Sequence, residues 1–187
     1  MNKTNGRQAI FEIIRFALIT LIIVVPIRTY IAQPFIVSGA SMAPTFESGQ
    51  YLIIDEMSYH FRSPERGEVI VFRFPDNPSK FFIKRIVGLP KETITVDDNG
   101  VKIETEQGKT FYIEEPYAHG HGINKSAIKL ADDEYFVLGD NRPVSSDSRI
   151  WGPVAEKLIK GRAWLRLFPV NTLGIRPGDS RNYQPEI

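Results

Sequence analysis

Between residues 51 and 168 the chain is cut into short β-branched and aromatic runs by Pro, Gly, Asn and Asp, and it keeps no helical period for long. Such runs fold as strands joined by tight turns, because branched and aromatic side chains suit a pleated surface and the turn residues reverse the chain. Strands are read at 51–55, 68–74, 81–88, 93–96, 101–104, 110–114, 134–138 and 162–168. Pro75-Asp76-Asn77-Pro78 and Asp97-Asp98-Asn99-Gly100 close two hairpins. The reading adds a short helical piece at 154–159 ended by Gly161, a loose connection at 116–129, and an irregular tail beyond Val170. The expected body is mainly β, with antiparallel sheets.

Ahead of this body, residues 9–36 are largely apolar, with Glu12, Arg15 and Arg28 as their formal charges. The charge-free part, 16–27, is shorter than the roughly 20 residues that span a bilayer. It spans only if Glu12 and Arg15 pair near one interface while Arg28 reaches the other beside Tyr30. Lys3, Arg7 and Arg15 precede the apolar part and Arg28 follows it, so the basic excess lies on the N-terminal side. The expectation is a cytoplasmic N-terminus at 1–8, a transmembrane anchor helix at 9–32, and an extracytoplasmic β-rich domain at 33–187. Ser38-Gly39-Ala40 also has the small residues of a cleavable leader, but Arg28 interrupts the segment and favours an anchor.

The 23 basic and 22 acidic residues leave a net charge of +1, which gives no electrostatic footprint for nucleic acid. Cysteine is absent, which excludes a thiol nucleophile, a thiolate metal site and a disulfide framework. With 187 residues the chain supports one main body plus an appendage.

Three stretches carry candidate chemistry. The first, Ser38-Gly39-Ala40-Ser41-Met42-Ala43-Pro44-Thr45, flanks a serine with small residues and then stiffens the turn, which suits an exposed nucleophile. The second places Lys84 within Phe81-Phe82-Ile83-Lys84-Arg85-Ile86-Val87, and alternation puts Phe82, Lys84 and Ile86 on one face. A lysine so flanked either reaches water or is desolvated; desolvation lowers its pKa and makes it a general base. The third runs from Gly139-Asp140-Asn141-Arg142 to Ser145, Asp147, Ser148 and Arg149, and holds more hydroxyl, carboxylate and guanidinium groups than a turn needs. His60, His119 and His121 lie in polar or Gly-rich connections and read as solvated loop residues; no metal or cofactor site is expected. Ser126-Ala127-Ile128-Lys129 fits a Ser-x-x-Lys pattern, but the partner triplets Ser-Asp-Asn and Lys-Thr-Gly are missing.

Taken together, the pieces resemble the bacterial type I signal peptidases, membrane-anchored serine proteases with a Ser/Lys dyad. The likeness covers nearly the whole chain and rests on four ordered motifs: Ser41-Met42-x-Pro44-Thr45, Arg66-Gly67-Glu68-Val69-Ile70-Val71-Phe72, Lys84-Arg85-Ile86-Val87-Gly88-Leu89-Pro90, and Gly139-Asp140-Asn141-Arg142 with Ser145, Asp147, Ser148 and Arg149. It implies Ser41 as nucleophile, Lys84 as general base, and Ser145 as the hydroxyl that orients the lysine amine. It implies a polar floor of Asp140, Arg142, Asp147 and Arg149 behind the dyad. The oxyanion would meet the Ser41 N–H and a second donor near Gly39, where one branch of the family has a serine hydroxyl. The implied substrates are signal peptides of exported preproteins, cut after small residues (Ala-x-Ala) at the outer membrane face, with membrane lipid and the export machinery close by. Phe35, Val37, Met42, Phe82 and Ile83 are candidate walls of shallow pockets, and an extended substrate can add as a strand beside 81–83. The rival reading is a catalytically silent, membrane-anchored β module that binds or assembles exported proteins. The separation of Ser41 Oγ and Lys84 Nζ decides between them, about 3.5 Å or less favouring the enzyme.

Overall fold

The structure is a computed structural model that describes residues 6–26, 32–120 and 124–180. A helix, α1 (Gly6–Pro26), is followed by strands β1 (Ala32–Ile36), β2 (Tyr51–Asp55), β3 (Val69–Phe74), β4 (Asn77–Gly88), β5 (Thr93–Asp97), β6 (Gly100–Glu104), β7 (Thr110–Tyr112), β8 (Asn124–Lys129) and β9 (Glu134–Leu138). A one-turn helix, α2 (Ser148–Trp151), then precedes β10 (Val154–Ala155), β11 (Ile159–Phe168) and β12 (Gly174–Ile175). The architecture is mainly β and antiparallel. One sheet has the order β1-β2-β11-β3-β4-β9-β10 with β12 added to β11, and a smaller one has the order β7-β6-β5-β8.

The center of the large sheet is buried on both sides, so β3 carries apolar residues at successive positions rather than alternate ones. Val69 and Val71 face one cluster with Val37, Met42, Phe46, Leu52 and Ile54. Ile70 and Phe72 face the other with Ile86, Tyr135, Val137 and Val154. The small sheet instead alternates buried and half-buried residues. Its Ile94, Val96, Val101 and Ile103 pack on Val87, Phe136 and Leu138, where β4 and β9 end. Gly88 sits at that junction: a Cβ there would lie 2.7 Å from Ile94 and 2.8 Å from Phe136.

Several expectations need correction. Residues 154–159 do not form an α-helix: Val154 pairs with Tyr135, Glu156–Leu158 make a single 3₁₀ turn, and Ile159 opens β11. Gly161 is therefore a strand residue, needed because a Cβ would come within 2.5 Å of the Asp55 carbonyl oxygen. The connection 116–129 contains β8, whose Ile128 pairs with Ile94. Ser126 and Lys129 thus lie in an extended strand, away from any helix start. The tail beyond Val170 holds a 3₁₀ turn and β12, and Arg176 N–H donates to the Trp164 carbonyl at 2.6 Å.

The N-terminal helix ends at Pro26 and Ala32 already belongs to β1. Residues 1–5 and 27–31, with Lys3, Arg28 and Tyr30, lie outside the described residues, as does His121. Among the described residues no helix is long and apolar enough to cross a membrane.

Candidate active site

Ser41 sits in a turn at the far end of the connection between β1 and β2. Val37 N–H donates to the Gln50 carbonyl and Gly49 N–H to the Val37 carbonyl, both at 2.9 Å, which closes the base of that connection. Phe46 N–H donates to the Met42 carbonyl at 2.8 Å, and the Met42 and Phe46 side chains plug into the core beneath. Met42 is 1% exposed and does not line the cleft, so its expected place as a pocket wall is corrected to a core anchor. Pinned on that side, Ser41 stays half-buried beside exposed Gly39 and Ala40.

The same turn orients the Ser41 N–H. The Ala40 carbonyl accepts from Ala43 N–H at 3.2 Å inside the turn. Since the carbonyl and N–H of a trans peptide point in opposite directions, the Ser41 N–H is aimed out of the turn. Gly39 has φ +92°, and nothing lies within 4 Å of where its Cβ would be.

Lys84 reaches Ser41 from β4, where it pairs in register with Ile70 of β3. Its Nζ lies 2.6 Å from Ser41 Oγ and 3.1 Å from the Ile83 carbonyl oxygen, and 5.5 Å from the centroid of the Phe82 ring. At 4% exposure the ammonium is desolvated. Burial pushes the Lys84 pKa down to about 8, against the opposing pull of the Asp147 and then the Asp140 carboxylates. With the amine charged, Nζ–H donates to the serine; with it neutral, Ser41 O–H donates to Nζ at the same distance.

The polar groups behind the pair are arranged as two separate ion pairs and a third that involves another part of the chain. Asp140 accepts from Arg85 Nε and Nη2 at 2.9 and 2.6 Å and from the Thr45 hydroxyl at 2.6 Å. Asp147 accepts from Arg149 Nε at 2.7 Å and from Gly139 N–H at 3.1 Å. Arg142 pairs with neither aspartate but with Glu115. Gly139 lets the loop close on the serine: a Cβ there would overlap Ser145 Oγ and the Ser41 carbonyl oxygen. Asn141 N–H donates to that carbonyl at 3.0 Å. Ser145 is buried in this loop, but among the described residues its hydroxyl makes no hydrogen bond, to Lys84 or to any other group.

A cleft of about 520 Å³ opens over the pair, lined by Phe35, Val37, Phe82 and Ile83 together with Leu52 and Val71. Gly39, Ser41 and Lys84 lie on its wall, so four of the five expected pocket residues face it. The two described histidine side chains are elsewhere: His60 is exposed, with Nδ1 3.2 Å from the Glu56 carbonyl oxygen, and exposed His119 meets the site only through its backbone. Residue-by-residue reading missed Arg85, Thr45, Glu115 and Tyr117. Only the Lys84-Arg85 and Pro44-Thr45 adjacencies hinted at the first two.

A model of the signal peptidase family, peptidase S26, matches residues 10–168. The chain is 38% identical over 172 residues to a probable signal peptidase I-2 of Synechocystis sp., covering 89% of this chain and 77% of that protein. It is also 38% identical over 180 residues to a signal peptidase I of Leptolyngbya laminosa, covering 92% and 87%. A crystal structure of a signal peptidase I from Enterococcus faecalis V583 superposes with a TM-score of 0.43 at 28% identity, over 54% of this chain and 97% of that one, an overlap too partial to bear on the fold. The match to the family over most of the chain, with relatives of this identity and coverage, means that the protein belongs to the signal peptidase family, peptidase S26, and is a serine endopeptidase.

Proposed function

We propose that the chain is the membrane-bound enzyme that removes signal peptides from exported preproteins after small residues, with Ser41 as nucleophile and neutral Lys84 as its base. The observation that carries this reading is the 2.6 Å contact between a buried amine and a half-buried hydroxyl on the wall of an apolar cleft. The neutral amine takes the Ser41 proton as Oγ attacks the scissile carbonyl, and the oxyanion is met by the Ser41 N–H and a second donor near Gly39. The resulting ammonium gives its proton to the departing amine, leaving an acyl-enzyme. Lys84 then draws a proton from the water that hydrolyses it. Ser145 would orient the amine by turning its unbonded hydroxyl toward it, while Asp140, Arg142, Asp147 and Arg149 hold the loop that carries it.

Cleavage after small residues fits shallow walls made by Phe35, Val37, Phe82 and Ile83. A substrate strand has a place to add, because β9 pairs with β4 only at Arg85, Ile86 and Gly88 and leaves that edge of Phe81–Ile83 uncovered. The proposed anchor is residues 9–32, of which α1 covers the part up to Pro26. Its Ile10, Phe11, Ile13, Phe16, Leu18 and Ile22 are exposed on every side, and a helix apolar all round requires lipid or protein cover. The basic excess before the apolar part puts the N-terminus in the cytoplasm and the catalytic body outside, near the export machinery.

The silent-module reading is disfavoured by the 2.6 Å contact, which binding alone does not need. The test is purified full-length chain against a preprotein with an Ala-x-Ala site. Ser41→Ala and Lys84→Ala each lose cleavage while staying folded, and simultaneous replacement of His60, His119 and His121 leaves it intact. Cleavage retained by Lys84→Ala contradicts the dyad.

A further inference from the structure

The connection from β7 to β8 joins two strands of the small sheet, yet its residues 115–120 face the loop behind the serine and lysine. The Glu115 carboxylate pairs with Arg142, with side chains 9% and 4% exposed, and Arg142 Nε also donates to the Gly139 carbonyl at 3.1 Å. Tyr117 donates its hydroxyl to Glu115 at 3.3 Å, and its ring lies 3.8 Å from the Arg85 guanidinium carbon. His119 N–H donates to the Asp140 carbonyl at 2.7 Å and its own carbonyl accepts from Arg142 N–H at 2.9 Å. Gly120, with φ +73°, abuts Pro143 so closely that a Cβ would lie 2.6 Å from the ring.

These contacts converge on both halves of the reacting pair. Through Arg142 and Asn141 they reach the Ser41 carbonyl, which accepts from Asn141 N–H at 3.0 Å. Through the Tyr117 ring they reach Arg85, the residue after Lys84 on β4. We propose that Glu115 and Tyr117 are positioning residues: the 115–120 connection clamps the 139–143 loop and Arg85, and so sets the placement of Ser41 against Lys84. This rests on the Ser41/Lys84 reading above. Glu115 is the carboxylate that matches the buried Arg142 charge; without it that guanidinium is drawn toward water and the loop shifts with it. A shift of about 1 Å in a reacting pair costs on the order of 10²-fold in rate. Phe35, Val37, Leu52 and Ile83 belong to other elements and keep most of the cleft wall in place, while Val144 and Ser146 are the lining residues next to the loop.

The test compares full-length wild type with Glu115→Ala, Glu115→Asp and Tyr117→Leu in detergent, by steady-state cleavage of an Ala-x-Ala preprotein and by amide hydrogen exchange. Glu115→Ala is expected to lower kcat by about 10- to 100-fold with KM within about threefold. Glu115→Asp, which restores the charge, recovers most of that loss. Asn141 and Arg142 amides exchange about tenfold faster in Glu115→Ala. Thr110→Ala, on β7 but outside the clamp, leaves kcat unchanged. If Glu115→Ala does not fold, Tyr117→Leu is judged by the same kcat-against-KM split and the same amides. A kcat within twofold of wild type, a loss confined to KM, or unchanged exchange at 141 and 142 overturns the clamp. Ser41→Ala is run alongside: if it cleaves like wild type, the dyad reading has failed, and the exchange result alone then judges the clamp.

Discussion

Lys84 and Arg85 are consecutive residues of β4, both buried, and the surroundings on the two faces of that strand treat their charges in opposite ways. On one face the Arg85 guanidinium meets the Asp140 carboxylate, the Gly67 and Gly178 carbonyls, the Ser180 hydroxyl and the Tyr117 ring. On the other, Lys84 meets a neutral hydroxyl, one carbonyl and the Phe82 ring. Asp147 and Asp140 act on it only across space, so desolvation dominates and its pKa falls to about 8. One strand thus holds a guanidinium matched by a carboxylate and, next to it, an amine whose charge burial disfavours. What separates them is whether a carboxylate is in contact.

The largest way to break this contrast is to remove the labile side. Ser41→Ala and Lys84→Ala each lower kcat/KM on preprotein by on the order of 10³ or more, with circular dichroism unchanged. Removing the match on the structural side has its effect on folding instead. Asp140→Ala leaves Arg85 buried and unpaired and destabilises by about 3–5 kcal/mol in denaturant unfolding. Replacing both partners, Arg85→Met with Asp140→Leu, recovers much of that loss, because the penalty belongs to the unmatched charge.

A smaller effect, of opposite sign, sharpens the comparison. Below pH about 8 the folded and unfolded chains both carry the Lys84 proton and the burial penalty is fully felt. Between about 8 and the ordinary value of 10.5 the folded chain has released it and the unfolded chain has not, so stability rises with pH. The penalty at neutral pH is about 3 kcal/mol, less about 1 kcal/mol for the Ser41 hydrogen bond. Lys84→Met is therefore expected to be inactive and about 2 kcal/mol more stable than wild type at pH 7, the advantage vanishing toward pH 10.5. Urea unfolding at pH 7 and pH 10 measures it, and a destabilised Lys84→Met at pH 7 contradicts it.

Much of this was legible in the chain because the relevant signals are local. The strands at 51–55 and 81–88 and both hairpins follow from composition and turn residues, and Lys84 stands out against its own apolar neighbours. The failures come from partners far apart in sequence. Arg85 and Asp140 are 55 residues apart and Arg142 and Glu115 are 27, and nothing near either site marks its partner. Residues 154–159 misled because Val154 and Leu158 have helical spacing, while both are claimed by the cluster around Phe72 and Tyr135. β1 is absent from the strands read in the sequence because it closes an apolar run, 9–36, that does not declare whether it is helix or strand; pairing with β2, Phe35 with Leu52, decides it. Met42 looked like a pocket wall from its neighbour Ser41, but the turn swings the two side chains apart.

The central claim is that the Lys84 amine is neutral when it acts, and the pH dependence of kcat/KM on a preprotein tests it most directly. Activity should rise with a single midpoint at about 8 and level off above it, leaving about a tenth of the maximum at pH 7. A profile that stays flat into the acidic range, or rises only near 10.5, would show that burial does not set this amine and would contradict the account.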